Sequence, residues 1–353
     1  MNKDDYISAS ISTRMYEKNL LTRTDLERLN DYDSLRDVLN QLNETIYRGP
    51  INDLDRPEEY EKILKDELKR VYKVIEDIAP DKEIIDYMKE KYIFHNLKVL
   101  VKELIQDADY SSLYLEMGDV DLAYIKKNLI KEDRKSDFFD KVASLSSDED
   151  SLGKDSRDLY LDYAQKALSY YEETKNPQDI DISLDKSYYE KLLLDAKALD
   201  LDTLIDFTRE TIDLINLKSL LRVKSQGEDM ETLEKILIEG GFVEPIKFKE
   251  YFSYEINQLI GSLSNAKIGN YVNDSLNDDL NLDDNILALE KAVDSHMTDY
   301  TRDSKMITFG PEVLMNYVIS KETEIKNLRI LLVSKLNKLD KEFTLEKLRK
   351  SYV

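Results

Sequence analysis

Three segments of this chain say nearly the same thing, and their recurrence limits what the chain can fold into. They are Asn96-Leu97-Lys98-Val99-Leu100-Val101-Lys102, Asn216-Leu217-Lys218-Ser219-Leu220-Leu221-Arg222 and Asn327-Leu328-Arg329-Ile330-Leu331-Leu332-Val333. Their asparagines lie 120 and 111 positions apart in a chain of 353 residues, which leaves room for three repeats of about 115 residues. In each copy the leucines fall at i, i+3 and usually i+4, with a basic residue two places after the asparagine, the spacing that builds an apolar stripe along one helix face. Expected repeat limits are 1–110, 111–227 and 228–353. A helical body used three times predicts pseudo-symmetry about an axis, which suits a socket, collar or spacer better than a catalytic cleft.

The fold class follows from what the chain lacks. With 9 Gly, 6 Pro and 41% hydrophobic residues, it has few turn formers and enough apolar surface for packed cores, so it is expected to be all-α. A helical pattern runs through Ile7, Ile11, Met15 and Tyr16, and Thr24 with Glu27 fits a capping box. After Gly49-Pro50 a cleaner helix runs from Tyr60 to Ile78 and stops at Pro80; Ile84-Ile85 and Met88 lead into the first Asn-Leu-Lys helix. A stretch starting at Leu184 precedes the second copy, and the similar Leu289-Glu290-Lys291-Ala292 precedes the third. Gly310-Pro311 is a stop-then-start signal for a last helix expected from about Leu314 through Leu336, ahead of a tail of a turn or two. Two acidic connectors stand out, Ser144 to Asp158 and Asn273 to Asp284, and both are expected to be exposed.

The formal net charge of −22 disfavours nucleic acid and anionic lipid surfaces as partners. Cysteine is absent, so disulfides, thiolate metal sites and thiol nucleophiles are excluded. No run approaches the roughly 20 apolar residues of a spanning helix, and the N-terminus lacks signal-peptide character, so no direct membrane insertion is expected. The two histidines, His95 and His296, stand in no Glu-x-x-His or His-Asp arrangement. Gly153-Lys154 is followed by Asp155, and no phosphate-cradling or nucleophile-elbow motif is present. The expectation is a chain with no catalytic residues, cofactor or metal. His95 occupies the place held by Ile215 and Lys326 in the other copies, three unrelated side chains, so the position does not demand imidazole. Asparagine is mediocre within a helix, so its recurrence at 96, 216 and 327 predicts a side-chain hydrogen bond that ties each helix to a neighbour or caps its start. Leu97, Leu100, Leu217, Leu220, Leu328 and Leu331 are the matching core candidates.

The run Phe94 to Leu100, the segment Asp213 to Arg222, and above all Phe309-Gly310-Pro311-Glu312 with Tyr317 to Lys335 resemble the C subunit of the prokaryotic V/A-type ATPases (ATP synthases), the relative of the eukaryotic V-ATPase d subunit. The stretch Tyr6 to Leu42, with Arg14 and Leu20-Leu21, resembles that family's N-terminus, so the likeness covers essentially the whole chain. The resemblance implies three similar helical bundles arranged as a funnel with pseudo-threefold symmetry. It also implies a non-catalytic central-stalk rotor component that couples the shaft subunits (D and F) to the membrane rotor ring for ATP-linked proton or sodium transport. Such a component lies on the cytoplasmic face of a membrane-bound complex, with a transient contact to the stator membrane subunit as a further expectation. The acidic connectors match no motif of the family; Asp278, Asp279, Asp283 and Asp284 are candidate partner-facing residues. The rival reading is a free-standing cytoplasmic α-helical scaffold, and an enzyme with an unusual carboxylate site is a distant third.

Overall fold

The computed structural model describes residues 3–129 and 156–350, and among them every regular element is helical. The helices are α1 Ile7–Glu17, α2 Arg23–Asp31, α3 Leu35–Leu42, α4 Arg48–Asn52, α5 Tyr60–Ile78, α6 Glu83–Gln106, α7 Leu122–Leu129, α8 Ser156–Thr174 and α9 Gln178–Ala198. They continue with α10 Asp202–Gln226, α11 Met230–Ile236, α12 Pro245–Tyr251, α13 Ile256–Leu263, α14 Gly269–Ser275, α15 Leu282–Asp303, α16 Pro311–Leu336 and α17 Lys341–Lys347. The three asparagine segments sit on the three longest of these, α6, α10 and α16. Most of the first acidic connector lies outside the described residues.

The chain divides into two compact units, Met1–Ile85 with Glu255–Val353, and Asp86–Tyr254. In the first, α16 is the central rod. It opens with Pro311 at its first position, where the missing N–H costs nothing, and it packs against α1, α5, α15, α2, α3 and α17. A helix surrounded this way must be buried nearly all round, and most of its 26 residues are. Its lower half, through Ile325, Leu328, Leu331 and Leu332, closes a core with Leu26, Leu29, Val38, Leu42, Ile63 and Leu64. In the second unit α8 and α9 pack together, α9 packs on α10, and α10 on α11 and α12. Leu97, Leu100 and Val101 of α6 share a core with Ile125, Ala164, Ala167, Ile180 and Leu184.

One local expectation is corrected. The capping box of α2 is made by Thr22 and Asp25, not Thr24 and Glu27: the Thr22 hydroxyl accepts from Asp25 N–H at 3.1 Å and the Asp25 carboxylate from Thr22 N–H at 3.0 Å. The helix starts two residues earlier because a carboxylate of aspartate length closes the reciprocal pair. The stripe of Ile7, Ile11 and Met15 does form a helix, but that face is exposed, 62% at Ile11 and 64% at Met15, while Ala9, Ser10 and Thr13 are buried. Periodicity identifies the helix, and its inner face is the one carrying Ala9, Ser10 and Thr13. The small residues lie against the rod because they let the two helices approach closely.

Candidate functional site: three asparagine clamps

Asn96, Asn216 and Asn327 are buried in mid-helix, and each makes the same pair of hydrogen bonds. The Asn96 amide donates to Leu115 C=O and its carbonyl accepts from Leu115 N–H, both at 2.8 Å. Asn216 does this to Ile238, again at 2.8 Å both ways. Asn327 does it to Arg349, donating at 3.2 Å and accepting at 2.7 Å. A primary amide carries a donor and an acceptor side by side, the complement of one residue's backbone, so each asparagine grips the main chain as a neighbouring strand would. The receiving residue lies 19, 22 and 22 positions downstream.

The exits of the three helices match as well. Asp107 (φ 46°), Gly227 (φ 68°) and Lys338 (φ 55°) are left-handed, and each stands eleven residues after its asparagine. The following N–H reaches five residues back in every copy: Ala108 to Glu103 C=O at 3.4 Å, Glu228 to Val223 at 3.0 Å, Leu339 to Ser334 at 2.9 Å. That is a Schellman ending. A short helical stretch follows in each copy (the 3₁₀ turn Ser111–Leu113, α11 and α17, respectively) and ends in an extended residue, Tyr114, Leu237 or Leu348, immediately before the one that the asparagine holds. The first copy reaches its receiver three residues sooner because a single 3₁₀ turn replaces a seven-residue helix. All six leucines picked out with the asparagines are buried.

The second clamp has a reinforcement absent from the other two. Asp213, one helical turn before Asn216 and fully buried, accepts Phe242 N–H and Val243 N–H, each at 3.0 Å. Gly241 is required by this approach: a Cβ there would stand 2.1 Å from Asp213 Oδ1. Burial pushes the Asp213 carboxyl up to about 7, against the two N–H donors and Arg209, which favour the charge. Folding is therefore assisted by the protonated form. Its contribution is complete below about pH 4, where the unfolded chain's carboxyl is also protonated, and is lost as pH rises through about 7. Asn at 213 keeps one acceptor and loses the other at a cost independent of pH. The stability of Asp213→Asn relative to the parent should hence improve between about pH 4 and pH 8 in urea titrations; a constant difference would sink this account.

Asn216→Ala should destabilise the chain by about 2 kcal/mol, since it strands both polar groups of buried Ile238. The same change at Asn96 should cost less, because Leu115 is only half-buried and water can replace the amide. Equal costs at the two sites, read from denaturant midpoints, would show that the receiver's burial does not set the clamp's worth.

The remaining candidates fall elsewhere. Asp278, Asp279, Asp283 and Asp284 are exposed, at the α14–α15 connection and in the first turn of α15. That connection is an ordered turn held from beneath by buried Asn285, which takes Asn277 N–H at 2.8 Å and donates to the carbonyls of Asn277, Leu280 and Asn281. His95 Nε2 meets Leu113 C=O at 3.0 Å beside the first clamp, and His296 Nδ1 meets the Tyr271 hydroxyl at 3.2 Å. Among the described residues no group of three or more His, Asp or Glu side chains is placed to hold a metal, and no helix is long and apolar enough to cross a membrane.

Long helices fastened to their own downstream chain by side-chain-to-backbone hydrogen bonds define an all-helical fold that uses one fastening device three times. The chain belongs to the ATP synthase (C/AC39) subunit family, whose model matches residues 12–347. It is 23% identical over 337 residues to the C subunit of the V-type sodium ATPase of Enterococcus hirae, covering 95% of each chain. It is 26% identical over 355 residues to the C subunit of the A-type ATP synthase of Methanocaldococcus jannaschii, covering 96% of this chain and 84% of that one. To the corresponding protein of Methanobrevibacter smithii it is 26% identical over 344 residues, covering 92% of this chain and 83% of that one. The protein is a component of a V/A-type ATPase, an ion-transport complex.

Proposed function

We propose that this protein is the non-catalytic coupler of the central stalk, joining the shaft subunits (D and F) to the membrane rotor ring on the cytoplasmic face. The observation that carries the reading is the threefold recurrence of one device, a buried asparagine, a left-handed exit eleven residues on and a backbone grip 19 to 22 residues on. It supports three similar helical bundles about a pseudo-threefold axis, proposed with repeat limits 1–110, 111–227 and 228–353, and the grips on Leu115 and Ile238 reach past the first two limits and tie each unit to the start of the next. A part that transmits torque must resist shear between its helices, and close packing with bidentate ties does so. The acidic turn at Asp278, Asp279, Asp283 and Asp284 is a docking rim for a basic partner surface.

The test is capture from detergent-solubilised membranes with this protein tagged. Recovery of shaft and ring components supports the coupler. Recovery of unrelated soluble proteins alone would favour a free-standing scaffold. For the rim, replacing the four aspartates by asparagine should slow association with a purified D–F shaft and flatten its salt dependence, with dissociation little changed, because exposed charges act mainly on encounter. An unaltered on-rate and salt slope in surface-immobilised kinetics would leave the turn an ordinary solvated connector.

A further inference from the structure

On a chain of net charge −22, one concave surface runs the other way. Where the exit of α16 meets the start of α3 and the residues before α5, a cavity of about 690 Å³ is lined by four basic side chains, Arg36, Lys335, Lys338 and Lys341, against two carboxylates, Asp33 and Glu58. Asp33 is already engaged by Lys341 at 2.9 Å. Lys335 is buried and spends one proton on Asn30 C=O at 2.6 Å. Arg36 and Lys338 are exposed and make no ion pair among the described residues. The left-handed conformation of Lys338 sets it on the turn that closes the third repeat helix. Between these cations the wall is apolar: Leu336 is 41% exposed and Leu339 42%. Phe343, two residues past Lys341, is also exposed.

We propose that this cavity is a docking site for an acidic peptide segment of a partner protein, its carboxylates between Arg36 and Lys338 and an apolar side chain against Leu336 and Leu339. Charge complementarity selects the occupant. A basic or neutral segment would leave Arg36 and Lys338 facing an unfavourable or indifferent partner, whereas an acidic one finds in them the two cations left uncommitted. The exposed leucines add an apolar demand that a bare inorganic anion does not meet. An anionic membrane is disfavoured by shape and by range, since a flat bilayer would meet the acidic remainder of the chain as well as the cavity, whereas an inserted segment interacts within a screening length of about 8 Å. The site is separate from the coupling role proposed above: it concerns the purified protein alone, so its failure leaves that reading untouched.

The experiment is fluorescence anisotropy of a labelled peptide of alternating glutamate and leucine, titrated with the full chain at low salt. Saturable binding is expected, weakened about tenfold or more in Arg36→Glu/Lys338→Glu by the reversal of two close charges, and weakened also when the peptide's leucines become serines. Both substituted residues are exposed, and thermal melts of this variant and of the milder Lys338→Ala verify that the fold survives. Absence of saturation would overturn the proposal, as would equal affinity for parent and charge-reversed chains. Full displacement by inorganic phosphate with no effect of the leucines would reduce the cavity to a simple anion site and overturn it too. Co-sedimentation with vesicles of anionic phospholipid, lost in the same variant while the peptide does not bind, would reassign the surface to a membrane.

Discussion

Lys321→Met should destabilise the protein by about 3–5 kcal/mol, the range for breaking a buried ion pair from one side. Lys321 is 0% exposed at the centre of α16 and donates to Glu324 at 2.7 Å, with Glu67 of α5 at 3.6 Å. Glu324 also takes the Tyr47 hydroxyl and Leu21 N–H, each at 2.6 Å. Burial and Glu324 hold the Tyr47 phenol far above its usual range, so it remains a donor. Removing the ammonium leaves Glu324 with two neutral donors and no counter-charge. Glu67 is better protected, because Arg70 grips it from the rim at 2.7 and 2.8 Å. The loss should therefore be recovered in large part by the double variant Lys321→Met/Glu324→Gln, which removes the stranded charge. If the single variant is within about 0.5 kcal/mol of the parent, or the double variant recovers nothing, the cluster is not a coupled network.

Leu100, Leu220 and Leu331 should each lose about 2–5 kcal/mol on change to Ala, the cost of a buried leucine with incomplete collapse of the hole. All three are buried four residues after a clamp asparagine, on the face that turns into the core. The comparison among them matters more than any single value: equivalent positions in equivalent bundles should fall in one range. Denaturant midpoints indistinguishable from the parent at two of the three would remove the basis for treating α6, α10 and α16 as copies.

How much of the fold and of the clamps is legible in the chain depends on how local each feature is. The all-helical class and the burial of the repeat leucines follow from composition and i, i+3, i+4 spacing, which act within two turns. Asparagine's poor fit to a helix points to a side-chain hydrogen bond, but nothing at Leu115, Ile238 or Arg349 marks those residues as receivers. Only one of the three left-handed exits is glycine; Asp107 is a weak signal, since aspartate tolerates that region, and Lys338 carries none for a conformation that the tertiary context imposes. Asp213 and Asn285 give no signal because their partners are backbone groups, which have no letter of their own. The exposed face of α1 misleads for the opposite reason: its large apolar side chains look like core, while the side truly buried is made of alanine, serine and threonine.

A grip that closes on the main chain is indifferent to the residue it holds. The three receivers are a leucine, an isoleucine and an arginine, and the geometry of the hold barely differs. Substitutions at the held position leave the two hydrogen bonds in place and answer only to local packing, while the asparagine has few replacements that present a donor and an acceptor at that reach. An architecture fastened this way can drift far in sequence without loosening, in keeping with relatives that share 23 to 26% of their residues over nearly the whole chain. Comparisons among distant members should accordingly find the fastener more readily than the thing fastened.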